Sequence, residues 1–156
     1  MARFFKVVAK EHRQHETYIK LPIRATENAA GYDFYSPVDV IIQPNESAMI
    51  WTDVKAHMYT DNVLMLFVRS SMGKHPVVLA NGTGIIDADY YENEGNDGNI
   101  GFRLLNLGST PYEIKEGDRI GQGVFVKFGA VSDDNVVTKR KGGFGSTDTV
   151  GGNGND

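Results

Sequence analysis

No apolar run in this chain is longer than six residues (63–68) before a glycine, a proline or a polar pair interrupts it. That punctuation decides the fold class, because a helix needs ten or more residues of unbroken 3.6-residue periodicity and a strand needs only four to eight. Runs at 38–42, 48–52 and 63–68 are β-type, separated by Pro-Asn and Asp-Asn breakers. Phe4, Val7 and Val8 suggest a first strand, and Ile100, Phe102 and Leu104 alternate as a later one. The turn at 115–119 leads into a final strand over 120–128 that carries Gln122 between two glycines. Helical spacing is limited to a turn or two near 71–75. Many short strands with Gly/Pro turns predict an all-β sandwich or barrel, and 156 residues predict one domain.

Composition narrows the function. There is no cysteine, which removes disulfides, a thiolate nucleophile and thiolate-ligated metals together. A formal net charge of -4 argues against broad nucleic-acid binding. Neither a run of about 20 apolar residues nor a signal-peptide pattern is present, so the expectation is a cytoplasmic protein without a membrane role. The sequons at Asn45 and Asn81 carry no meaning without a secretory signal. His12 and His15 have a ligand-like spacing with no third ligand nearby, and no metal site is expected there.

The chemistry concentrates in 81–91, NGTGIIDADYY. Asn81-Gly82 is a strong hairpin-turn signal. After Gly84-Ile85-Ile86, Asp87 and Asp89 come at alternate positions and would share one face of an extended segment. Two such carboxylates repel unless water, a proton or a cation lies between them. The pair suits general-base work or a divalent ion, and equally a solvated hairpin end. Asp33, inside the apolar stretch 32–35, either caps a neighbouring turn or is a buried carboxylate kept for a purpose. Gly31 lets another backbone approach closely. Arg69-Ser70-Ser71 at a strand-to-turn junction offers a guanidinium fork and hydroxyls to an anion. The polar, glycine-rich 92–99 (ENEGNDGN) reads as a surface loop, and 10–16 as a solvated one. Composition after Lys139 reads as disordered, although Phe144 among glycines, cations and hydroxyls also suits a closing lid.

Five segments stand in one order: AGYDF (30–34), RSSMGK (69–74), NGTGIIDADY (81–90), GDRIGQGVF (117–125) and GGFGST (142–147). Together they resemble the five motifs of the trimeric deoxyuridine triphosphatases (dUTPases). The resemblance implies a jelly-roll-like β domain over 1–138 and a flexible glycine-rich arm over 139–156 that closes on the site. It implies hydrolysis of dUTP to dUMP and pyrophosphate with Mg²⁺, held mainly by substrate phosphates and water. Asp87 would be the general base on a water attacking the α-phosphorus. Asn81 with the Gly84, Ile85 and Ile86 backbone would read uracil, and Tyr90 would pack under the sugar at C2′. Arg69, Ser70, Ser71 and Gln122 would bind phosphate oxygens. Phe144 would stack on the base, with Gly145 beside it, while Ser146, Thr147 and Arg140 or Lys141 would grip the γ-phosphate. Asp33 would act from behind, through waters or by steadying Arg69. Homotrimers with shared sites are implied as well.

Three features depart from the usual pattern: the long acidic 92–99 loop, the cations placed directly before Gly142, and Asp148 where glycine is usual. Two rival readings are a dCTP deaminase of the same fold and a dUTP-dependent regulator binding a protein partner through 92–99.

Overall fold

The computed structural model describes residues 2–143. Among them are twelve strands: β1 (Phe4–Val7), β2 (Ile23–Arg24), β3 (Tyr32–Tyr35), β4 (Val40–Ile42), β5 (Ser47–Trp51), β6 (Val54–His57), β7 (Asn62–Phe67), β8 (Val77–Leu79), β9 (Gly84–Asp87), β10 (Gly101–Asn106), β11 (Tyr112–Ile114) and β12 (Arg119–Lys127). Helical structure is confined to three short 3-10 turns, Lys10–His12, Ser70–Lys74 and Ala88–Tyr90. The chain is all-β, as its punctuation predicts, and jelly-roll-like, as the resemblance implies.

Two sheets carry the architecture. One has the order β2-β3-β12-β7-β9, the other β5-β10-β8, and both are antiparallel. Smaller pairs, β1-β6 and β11-β4, close the ends. The core lies between the sheets: Phe34, Leu64, Ile100, Phe102 and Leu104 are wholly buried, and Ile50 and Leu66 nearly so. The alternation of Phe102 and Leu104 inward with Arg103 outward is the period-2 pattern of a strand with one wet face.

β12 is central. Its Gly121 and Gly123 face the core, where a Cβ at Gly121 would collide with the Phe102 ring and one at Gly123 would press on Phe34 and Leu64. Bulky neighbours therefore fix the strand, and Gln122 between them must face the other way.

Two segments differ from expectation. The 10–16 stretch is not simply solvated: the Gln14 and His15 N–H groups donate to the carboxylate of fully buried Asp53, at 2.9 to 3.1 Å. The 92–99 segment is not an open surface loop either, since Asn93, Asp97 and Asn99 are buried. Its polar side chains satisfy its own backbone, with Asn93 Oδ1 accepting from the Gly95 and Asn96 N–H groups and Asn96 Oδ1 from Gly98 N–H. Lys55 ties it to β6, donating to Asp97 at 2.8 Å and Glu92 at 3.0 Å.

Burial pushes the Lys55 ammonium toward lower pKa, but hydrogen bonds to Asp97 and Glu92 outweigh it and hold the group above its ordinary value. Burial likewise raises Asp97, and the Lys55 and Ala9 N–H donors reverse the sign, leaving its pKa below 3.8. A carboxyl depressed by folding binds fewer protons than its unfolded form, so its contribution is complete above the unfolded pKa and is lost as pH falls through the folded one. Urea unfolding of the wild type should therefore lose stability steeply below about pH 4. Asp97→Asn should cost up to about 3 kcal/mol at neutral pH, since Glu92 still faces Lys55, and its stability should decline less on acidification.

Candidate active site

Cross-strand register places one polar cluster. β3 and β12 set Asp33 opposite Gln122, and β12 and β7 set Gln122 opposite Phe67, two residues before Arg69. Ile120 is an extra residue in the β12-β3 ladder, and this bulge aligns Arg119 with Tyr35, on the Asp33 face. Asp33, only 6% exposed, accepts from Arg69 Nε at 2.9 Å and lies 3.5 Å from Arg119 Nη1. One buried carboxylate thus holds two guanidinium groups with donors to spare, and Arg69 Nη1 also donates to Ser71 Oγ at 3.3 Å. The cleft beside them measures about 410 Å³ and is lined by Arg69, Ser71, His75 and Arg119. Ser70 and Ser71 lie exposed at the start of the 3-10 turn that supplies this wall of the cleft. Gly31 is small for a reason other than backbone approach: the Gln122 amide occupies the space a Cβ would need.

The Asn81-Gly82 turn does not close a hairpin. It is tight, with Gly82 at φ +72° and its N–H donating to the Leu79 carbonyl at 2.9 Å. Yet β8 ends the three-stranded sheet and β9 ends the five-stranded one, and among the described residues no backbone hydrogen bond joins them. The cause is their outer partners, because β8 is claimed by β10 and β9 by β7. Gly84 packs so closely on Leu66 that a Cβ would stand 2.9 Å away. Between the splayed strands is a largely apolar pocket of about 140 Å³, lined by Leu79, Asn81, Gly84, Ile85, Ile86 and Arg103 among others. Its walls include sheet edges, which carry unpaired N–H and C=O groups.

Beyond the pocket, β9 stops at Asp87 and Ala88–Tyr90 forms a 3-10 turn, so Asp87 and Asp89 do not alternate on one extended strand. They converge nonetheless on Arg140, whose Nη2 donates to Asp87 at 2.6 Å and Nε to Asp89 at 2.8 Å. The cation that relieves their repulsion comes from the arm. The Arg140 guanidinium also sits 5.8 Å from the centre of the Tyr90 ring. Tyr90 is buried, and that burial raises its phenol above the ordinary value although Asn96 and Arg140 oppose it. Among the described residues no three His, Asp or Glu side chains converge as a metal site, His12 and His15 included. Phe144, Gly145, Ser146, Thr147 and Asp148 lie outside the described residues.

The structure therefore brings Asp33, Arg69, Ser71 and Gln122 together, and separately Asn81, Gly84, Ile85 and Ile86. Asp87, Tyr90 and Arg140 form a third group. Arg119 and Asn96 were not legible as site neighbours, although Arg119 opens the strand that carries Gln122. Counting four residues along the strands and three strands across, Asp33 and Asp87 are roughly 20 Å apart.

An all-β fold with an apolar ring-sized pocket, a guanidinium cleft and paired carboxylates is that of a protein built to hold a phosphorylated small molecule. The dUTPase family model matches residues 17–148. A deoxyuridine 5′-triphosphate nucleotidohydrolase of Lactococcus lactis is 39% identical over 148 residues, covering 93% of this chain and 97% of the relative. One from fowlpox virus is 33% identical, covering 82% and 89% respectively. Among solved structures, the dUTPase from Streptococcus mutans superposes with a TM-score of 0.72 at 34% identity, covering 82% of this chain and 98% of that one. The chain belongs to the dUTPase family.

The two glycine contacts differ in what must yield. Gly31→Ala meets only the end of a flexible glutamine, so unfolding free energy should stay within about 0.5 kcal/mol while a crystal structure shows Gln122 displaced. Gly121→Ala meets a core ring and the Phe67 carbonyl, and should cost about 1–3 kcal/mol by urea unfolding.

Proposed function

We propose that this chain hydrolyses dUTP to dUMP and pyrophosphate. The observation that carries the reading is the ring-sized pocket between two unpaired strand edges, lined on β9 by Gly84, Ile85 and Ile86, with Asp87 the next residue along that strand. Strand edges present donors and acceptors in a fixed order, so a uracil edge can complete them where a cytosine amino group would meet the wrong partners. Asn81 lines the same pocket. Tyr90, on the 3-10 turn that follows β9, forms the floor for the deoxyribose.

Arg69, Ser70, Ser71 and Gln122 take the phosphate oxygens, with Asp33 steadying Arg69 and Arg119 from behind. Water attacks the α-phosphorus as Asp87 accepts its proton, and the bond to the β-phosphate oxygen breaks, so pyrophosphate leaves. For Asp87 to accept a proton, Arg140 has to let go of it, and the triphosphate offers that guanidinium a stronger anion. Arg140 is therefore the arm residue assigned to the γ-phosphate. Phe144 covers the base, and Ser146 and Thr147 complete the grip.

Mg²⁺ suits a site of this kind, because Asp33 is already engaged by two guanidinium groups and the ion accepts phosphate oxygens and water as ligands. When bound it supplies charge neutralisation across the phosphates.

Asp87 and the guanidinium cleft of one chain are too far apart for a single triphosphate to reach both. The site is completed by a second copy, and a homotrimer satisfies every chain equally. The outer face of the five-stranded sheet next to Asp87 is apolar, formed by Val63, Met65, Ile85, Val124 and Val126, and Ile85 is 54% exposed. Light scattering should give three times 17.2 kDa; a monomeric mass at full activity would sink the shared site.

Pyrophosphate release should be far faster from dUTP than from dCTP, dTTP or UTP, and should stop in EDTA. Asp87→Asn should lower turnover by about 10²–10⁴-fold or more while dUTP affinity stays within a few fold. Ammonia released from dCTP would assign the chain to the deaminases instead, and dUTP binding without turnover would make it a regulator.

A further inference from the structure

The asparagines of the 92–99 loop converge on Tyr90. The Tyr90 hydroxyl donates to the Asn99 carbonyl at 2.7 Å and accepts from Asn96 Nδ2 at 2.7 Å. The orientation of that amide is forced. Gly98 N–H is a donor only, so Oδ1 of Asn96 must face it, at 3.1 Å, and Nδ2 must face the phenol. With its acceptor side filled, the phenol proton has to go to Asn99. Asn93 braces the assembly, its Nδ2 donating to Asn96 Oδ1 and to the Tyr90 carbonyl, both at 2.8 Å. The Asn96 amide is also hemmed in from outside: a Cβ at Gly143 would stand 3.0 Å from its Nδ2. Tyr90 therefore cannot tilt or sink without breaking a hydrogen bond in a buried place, where an unmet donor is costly.

We propose that Asn96 is a positioning residue for sugar selection, fixing the depth of the Tyr90 ring so that a 2′-hydroxyl finds no room above it. The inference rests on the reading of Tyr90 as the deoxyribose floor. A ring held at both its hydroxyl and its backbone carbonyl is a rigid wall, and rejection of one extra oxygen atom requires a wall that does not give. The loop thus does for the sugar what the splayed strands do for the base.

The test is the ratio of kcat/KM for dUTP to that for UTP, measured in four chains: wild type, Asn96→Asp, Tyr90→Phe and the double variant. Asn96→Asp keeps an oxygen for Gly98 N–H and Asn93 and replaces the donor to the phenol with an anionic acceptor, which draws the phenol proton from the Asn99 carbonyl and shifts the ring. Its ratio should fall roughly tenfold, mainly through faster UTP turnover. In the Tyr90→Phe background the same substitution should change nothing, because the group through which it acts is gone. Should Asn96→Asp fold poorly, Asn96→Ala also removes the donor to the phenol, together with the oxygen that serves Gly98 N–H and Asn93, and the Tyr90→Phe background separates the two effects. A folded Asn96 variant with the wild-type ratio overturns the proposal, and so does an equal loss with and without the Tyr90 hydroxyl. A wild type that does not prefer dUTP to UTP overturns the reading of Tyr90 itself and this inference with it. A selective wild type beside an unaffected variant overturns the inference alone.

Discussion

A strand edge left unpaired inside a protein is a liability, because its N–H and C=O groups have lost water and gained nothing. Here two edges face each other across a gap instead of zipping into one sheet, and much of the molecule is arranged to keep them apart. β10 draws β8 to one side and β7 draws β9 to the other. Gly84 lets β9 lie against Leu66, so the pull toward the core is set by packing. The tight Asn81–Gly82 turn keeps the two strands close enough for one flat ring to bridge them, and β9 then delivers Asp87 to the end of the gap. The opening persists because each strand is already committed to its outer partner.

The second organising element is β12. Core rings press on its two glycines and fix the side chain between them. That side chain, Gln122, shares a row with Asp33, and the bulge at Ile120 adds Arg119 to the same face. A carboxylate between two guanidinium groups is only partly a stabilising device, since desolvation offsets much of the attraction. Its chemical consequence is clearer: two planar cations are pinned at the wall of an open cleft with donors unspent.

The strand content was readable because glycine and proline punctuation is local, and so was the alternation in β10. Partners were not readable, because β8 and β9 are separated by a turn that ordinarily makes a hairpin, and only distant strands divert them. β6 hid behind Lys55 and His57, two polar residues among four, one of them buried in an ion pair. The 92–99 loop misled by composition: asparagines that satisfy their own backbone look like asparagines that face water. Asp33 and Arg69 were visible as candidates, while the second guanidinium, Arg119, depended on a bulge that no local signal announces. The convergence of Asp87 and Asp89 was foreseen for the wrong reason, since a 3-10 turn and an arm cation bring them together where an extended strand was expected.

What remains is the separation of roughly 20 Å between Asp87 and Asp33 within one chain, which the proposed shared site explains. The sharpest measurement is subunit complementation: Asp87→Asn chains mixed with Arg69→Ala chains, unfolded together and refolded at equal amounts. If each site takes Asp87 from one chain and Arg69 from another, random assembly restores about a quarter of wild-type dUTP hydrolysis from two inactive parents. A mixture as inactive as its parents, in assemblies shown to contain both chains, would place both residues' work within a single chain and contradict the shared site.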